Sequence, residues 1–174
     1  IPVELMVASE FRYCDPILES GTVVLAISQS GETADTLAAM EEAHKKGAEL
    51  WSIVNAIGSQ AMRVADGCIS MQVGPEIGVA STKAFTAPIL DLYMIAVYLA
   101  DLRGTIDQQR RLELVKDLLT VPSLVELALD QEKKIKEIAN RYKDIKGALY
   151  IGRGVNMPIA YEGALKLKEI FYIH

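Results

Sequence analysis

The stretch Thr22-Val23-Val24-Leu25-Ala26-Ile27-Ser28-Gln29-Ser30-Gly31-Glu32-Thr33 decides the fold. Its first six residues are an unbroken apolar run rich in β-branched side chains, the pattern of a strand covered on both faces. Its last six form a polar turn, and a helical run over 34–46 follows at once. Lys45 and Lys46 suit the negative carboxyl end of that helix, and Gly47 is a natural stop. The same order then repeats: a strand over 50–55, a short helix over 59–65, a strand over 68–73 and a long apolar helix over 81–102. Strands that alternate with helices imply crossovers and a parallel sheet, so the expected class is α/β.

Arg103-Gly104-Thr105 breaks this pattern. Beyond it the spacing predicts a helix to about 119, a second restarting at Val121-Pro122-Ser123 and running to 143, and a strand over 148–151. A Gly152-Arg153-Gly154 turn and a last helix from Pro158 complete the chain. A domain boundary is expected near residue 105, with 1–105 as a first domain and 106–174 as the beginning of a second. Val3, Leu5 and Val7 alternate as in a strand. Both ends read as internal to a longer chain, because residue 1 is Ile and His174 stops inside a helical pattern with no capping Gly or Pro.

Composition narrows the classes. Apolar residues make up 51% and charged ones 24%, the profile of a globular protein. A net charge of -5 argues against sequence-independent nucleic-acid binding, although locally aimed donors can still hold a small phosphate ester. The most apolar stretch, 84–100, contains Pro88 and Asp91 and falls short of the ~20 apolar residues of a membrane span. It reads as a buried helix, and no signal-peptide pattern precedes it. Cys14 and Cys68 belong to no CxxC spacing; two buried thiols in a reducing cytosol are favoured over one disulfide. With only His44 and His174 available, no metal cluster is expected.

Two segments have the residue types of a site. In the turn 28–33, three hydroxyls, one Gly and the amino end of a helix make an anion cradle without any Lys, in the place where parallel sheets bind ligands. The same residues also suit a plain turn with an N-cap. In Tyr161-Glu162-Gly163-Ala164-Leu165-Lys166-Leu167-Lys168-Glu169-Ile170, a rotation of ~100° per residue places Glu162, Lys166 and Glu169 in one stripe. That stripe borders the apolar face of Ile159, Gly163, Leu167, Ile170 and Phe171. A carboxylate beside an ammonium could move protons between sugar carbons. An ion-pair ladder worth ~0.2–0.5 kcal/mol per pair is the simpler account of the spacing alone. In Glu76-Ile77-Gly78-Val79-Ala80-Ser81-Thr82-Lys83, Ser81 or Thr82 either caps the long helix or belongs to a ligand-facing loop. His44 reads as a solvated residue, and Trp51 as core or sheet edge.

Taken together, SQSGETADTL (28–37), EIGVASTKAFT (76–86) and EGALKLKEI (162–170) resemble the sugar-isomerase (SIS) half of the glucosamine-6-phosphate synthase family, the glutamine–fructose-6-phosphate aminotransferases. The resemblance covers nearly the whole chain. It implies three-layer α/β/α SIS domains with parallel, flavodoxin-like (Rossmann-like) sheets. The first would lack its first strand here, and the second would be only begun. It implies conversion of fructose 6-phosphate to glucosamine 6-phosphate, in a cytoplasmic homodimer with no cofactor and no nucleic-acid or membrane partner. A glutaminase domain of the same full-length chain would supply ammonia. By the resemblance Ser28, Gln29, Ser30 and Thr33 bind the phosphate, Val79 and Ser81 contact the sugar, and Glu169 moves the proton between C1 and C2 with Lys166 in support. The family's Schiff-base lysine and ring-opening histidine have no counterpart in the chain, and His174 is not that histidine. Phe171 stands where the family often has Ser or Thr. A non-catalytic SIS sensor of sugar phosphates, and a plain aldose–ketose isomerase or deglycase, are the alternatives.

Overall fold

A computed structural model describes residues 1–173; His174 lies outside the described residues. The chain divides into two units, Ile1–Ala100 and Asp101–His174. In the first, β1 (Val23–Ser28), β2 (Glu49–Val54) and β3 (Gly67–Ser70) pair in parallel in the order β1-β2-β3. Val23 lies opposite Glu49 and Ser28 opposite Val54, while Trp51 meets Gly67 and Val54 meets Ser70. Four helices accompany them: α1 (Ala8–Phe11), α2 (Ala34–Lys45), α3 (Gln60–Val64) and α4 (Lys83–Leu102).

Alternation along each strand sorts the side chains onto two faces. Val24, Ala26, Leu50, Val54 and Cys68 pack with Phe11 of α1, Met40 and Ala43 of α2 and Ala61 of α3. Leu25, Ile53 and Ile69 pack on the other face with Ala84, Ala87 and Ile95 of α4. Helices thus cover both faces of a parallel sheet. The end of α2 shows how local chemistry sets the layout. Gly47 takes φ +83°, which lets Ala48 N–H reach back to the carbonyl of Ala43 at 3.1 Å and turns the chain into β2. Lys46 pairs with Asp15 at 2.5 Å beside that turn.

Several expectations need correction. Residues 1–7 form no strand, because a strand needs a ladder partner and none adjoins them among the described residues; Val3, Leu5 and Val7 are exposed. The run 22–27 was expected to be covered on both faces, yet in β1, which pairs with β2 alone among the described residues, Val23 and Ile27 are exposed and only Ser28 is buried. The long helix was expected to be buried, yet α4 buries one stripe, Ala84, Ala87, Pro88 and Asp91, and exposes Ile89, Leu92, Met94, Tyr98, Leu99 and Leu102. By length and composition it is also the one helix among the described residues apolar enough to cross a membrane. Both cysteines are free, and Cys14 is exposed rather than buried. Trp51 lies partly exposed on the sheet over Gly67, where an added Cβ would come within 2.9 Å of its ring.

The second unit holds α5 (Gln108–Leu129), α6 (Glu132–Tyr142) and α7 (Asn156–Phe171). Asp107 caps α5 by accepting Arg110 N–H at 2.7 Å. The expected break at Pro122 does not occur: α5 runs through it and ends instead at Asp130. A proline removes one ladder bond, and a helix with turns on both sides survives that loss. Residues 148–151 form no strand and find no ladder partner among the described residues. Tyr150 nevertheless packs on α7 at Gly163, where an added Cβ would lie 2.8 Å from its ring. α7 starts at Asn156, two residues ahead of the expected Pro158, which then occupies the first turn, where a missing N–H is harmless. No described residue of this unit is buried.

Ile53, 0% exposed at the centre of the sheet, sets a direct check on the first core. Ile53→Ala should lower unfolding free energy by ~2–5 kcal/mol and Ile53→Val by ~0.5–1.5 kcal/mol, read from urea denaturation midpoints.

Candidate functional site

Because β1, β2 and β3 are parallel, the turns 29–33, 55–59 and 71–82 all leave from the same, carboxyl edge of the sheet. The first brings two of the expected hydroxyls, those of Ser28 and Thr33, together. Ser28 Oγ accepts Gly31 N–H at 3.0 Å and lies 3.3 Å from Thr33 Oγ1, and Ser30 Oγ accepts Glu32 N–H at 3.2 Å. The carbonyl of Gln29 accepts the N–H groups of Asn55 and Ala56 at 3.1 and 3.2 Å, which ties the turn to the end of β2. Thr33 stands at the N-cap of α2 with no side-chain cap bond, so its hydroxyl faces Ser28 instead of the helix.

The turn is also fastened to α3. Gly31 C=O accepts Ala61 N–H at 3.0 Å, and Glu32 Oε1 accepts Gln60 N–H at 2.7 Å. Gly31 sits at φ +63°, and a Cβ there would strike the Ser59 side chain and come within 3.3 Å of Val54 Cγ1. Only glycine satisfies both the conformation and the space. The Ser59 hydroxyl beside it is buried without a hydrogen-bond partner. The arrangement offers three hydroxyls and a helix amino end to an anion, with no cationic side chain among the turn residues 28–33.

The third turn is organised by two side chains that the residue pattern alone did not single out. Asn55 donates through Nδ2 to Gly74 C=O at 2.7 Å and accepts Val73 N–H at 3.3 Å. Glu76 Oε2 accepts the N–H groups of Thr82 and Ala84, each at 3.0 Å, and Oε1 accepts the Thr82 hydroxyl at 3.2 Å. The first amides of α4 are therefore taken by the Glu76 carboxylate and not by a Ser81 or Thr82 hydroxyl. These donors, Ala84 N–H foremost and then Thr82 N–H, hold the Glu76 pKa at about 2, down from 4.5. Val79 is fully exposed, and Ser81 adopts φ +54°, unusual for a residue with a side chain. The partners of Glu32 and Asn55 lie 28 and 19 residues away, and those of Glu76 lie across an irregular turn, so local spacing carries no signal for them beyond the place of the two glutamates inside motif segments.

On α7, Lys166 Nζ pairs with Glu162 one turn earlier, both half-buried, and not with Glu169, which is exposed. The spacing argument placed the three on one stripe; the ion pair within it joins the first two. A cavity of about 390 Å³ in this unit, lined by Tyr150, Tyr161 and Leu165 among others, contains neither Lys166 nor Glu169. Asp91 is buried on α4 with Oδ2 unpaired, and burial pushes its carboxyl pKa up. Among the described residues no group of three or more His, Cys, Asp and Glu side chains could hold a metal ion.

Parallel strands with helices on both faces and a hydroxyl-bearing turn at the carboxyl edge define an α/β domain, and residues 1–98 match the SIS domain family. The chain belongs to that family. It is 50% identical over 174 residues to the glutamine–fructose-6-phosphate aminotransferase [isomerizing] of Bacteroides thetaiotaomicron and 52% identical over 174 residues to that of Chlorobaculum tepidum. In both cases the whole chain is covered but only 28% of the relative, so it spans well under a third of the curated relatives it matches. Among solved structures it resembles the C-terminal domain of glucosamine-fructose-6-phosphate aminotransferase from Francisella tularensis. The TM-score is 0.96 and the identity 38%, over 100% of this chain and 49% of that one.

Two outcomes follow from this geometry. Gly31→Ala should cost ~1–3 kcal/mol through backbone strain, with a lower thermal midpoint, since the new methyl meets Ser59. Glu76 has a depressed pKa in the folded state, so its contribution is complete above 4.5 and is lost as pH falls from 4.5 towards about 2. In acid unfolding, the stability gap between the parent and Glu76→Gln should stay constant above that window and shrink within it.

Proposed function

We propose that this chain is the sugar-phosphate-binding isomerase portion of a glutamine–fructose-6-phosphate aminotransferase. It would make glucosamine 6-phosphate from fructose 6-phosphate and ammonia released from glutamine by a glutaminase domain elsewhere in the same protein. The observation that carries the reading is the turn 28–33. The Ser28 hydroxyl accepts Gly31 N–H and adjoins Thr33, and Ser30 accepts Glu32 N–H, ahead of the amino end of α2, where hydroxyls and helix amides suit a phosphate. The names of the relatives, at about half identity across the whole chain, supply the reaction class.

In this reading the phosphate is held by Ser28, Gln29, Ser30 and Thr33, and Val79 and Ser81 contact the sugar carbons from the neighbouring turn. Glu169 takes the proton from C1 of the sugar imine and returns it to C2, converting the ketose skeleton to the aldose. Its exposure on α7 leaves the carboxylate accessible to a ligand. Lys166, tied to Glu162, places a positive charge one turn before Glu169 without competing for it. Residues 1–105 form the first SIS domain and 106–174 begin the second. The protein works in the cytoplasm as a homodimer, a state favoured by the exposed apolar side of α4.

In the full-length protein, Glu169→Gln should abolish isomerisation while fructose 6-phosphate binding, followed by calorimetry, stays nearly intact. Unchanged turnover would remove Glu169 from the mechanism. Ser28→Ala with Thr33→Ala should weaken sugar-phosphate binding by roughly ten- to a hundredfold, because hydrogen bonds to a charged group are individually strong.

A further inference from the structure

The turn 71–82 connects β3 to α4 through residues with no regular structure, and it carries Val79 and Ser81. Its neck is closed by one side chain. The Glu76 carboxylate spans six residues to Thr82 and eight to Ala84, binding two backbone amides and a hydroxyl at once. Between neck residues 76 and 82, the described backbone tie is the single bond from Ser81 N–H to Gly78 C=O at 3.1 Å. Ser81 nonetheless holds a left-handed φ of +54°, a conformation a side chain disfavours and that persists only where surroundings impose it.

We infer that Glu76 is a positioning residue of the sugar site, one that closes the 76–82 turn and so presents Val79 and Ser81 in a fixed arrangement. This rests on the reading of the turn as sugar-contacting. Without the carboxylate, Ser81 relaxes to the ordinary right-handed or extended regions, and the binding arrangement becomes one of several. A ligand that needs a fractionally populated state binds weaker by that fraction. Glu76 has a second consequence. By filling the amino end of α4 with a carboxylate of the chain itself, it repels an incoming phosphate there and leaves the amino end of α2, which has no side-chain cap, as the anion's place. Glu76 touches no reacting atom in this account; it acts through the backbone of the turn.

The positioning of the turn depends on the shape and reach of the side chain, apart from its charge, and that makes it separable by substitution. A glutamine can place its carbonyl oxygen against both amides and donate its NH2 to the Thr82 hydroxyl. An aspartate keeps the charge but is one methylene too short to reach both. In the full-length protein, Glu76→Ala should raise KM and the dissociation constant for fructose 6-phosphate by about tenfold, with kcat changed by less than about threefold. Glu76→Gln should restore both constants to within about threefold of the parent, and Glu76→Asp should fall between alanine and glutamine. An alanine variant with unchanged KM, or one whose loss lies in kcat alone, overturns the inference. Should the alanine variant not fold, the other two decide: glutamine near the parent with aspartate impaired supports the role, and any other order overturns it. Failure of the parent itself to bind fructose 6-phosphate would instead sink the underlying reading of the site, independently of Glu76.

Discussion

Parallel pairing of β1 with β2 and β2 with β3 is the constraint on which the rest depends. A parallel ladder cannot be closed by a tight hairpin, so each connection must climb back over a face of the sheet. α2 and α3 return on one face and α4 packs on the other, which explains the two separate apolar clusters around Met40 and around Ile53. The same geometry forces every strand to end on one edge. The candidate chemistry is there because turns that leave parallel strands converge, with helix amino ends pointing at them.

Those helix amino ends have different occupants. The amides opening α3 are taken by Gly31 C=O and the Glu32 carboxylate, and those opening α4 by Glu76. α2 has no side-chain cap bond at Thr33, whose hydroxyl is turned to Ser28. An acidic protein can hold an anion under these conditions because binding is governed by the nearest dipoles rather than by total charge. Glu32 and Glu76 are thereby removed from competition with a ligand, since each is spent on backbone N–H groups.

Much of the fold was legible from residue order. The apolar run before Ser28, the Lys45-Lys46-Gly47 stop and the repeated strand–helix alternation located β1, α2, β2 and α3 within a residue or two. The approach of the Ser28 and Thr33 hydroxyls was legible too, because they lie five residues apart in one turn. Burial was read less well. Residues 1–7 and 148–151 have strand-like alternation, but alternation records only which side chains could share a face, and hydrogen-bond partners come from elsewhere. Pro122 was read as an end, although a long helix absorbs the loss of one bond.

Sequence alone determined what depends on neighbours within about one turn of chain: the helices and the three paired strands of the first unit, the hydroxyl-rich bend, the stripe of Glu162, Lys166 and Glu169, and the motifs that mark the SIS family. Tertiary structure decided what depends on residues brought from afar. It seated Ser59 against Gly31, gave Lys166 to Glu162 rather than Glu169, and placed the Glu76 carboxylate on the first amides of α4. The division has a physical origin: dihedral preference and periodicity are written locally, whereas a hydrogen bond or a close contact exists only once the chain has folded back on itself.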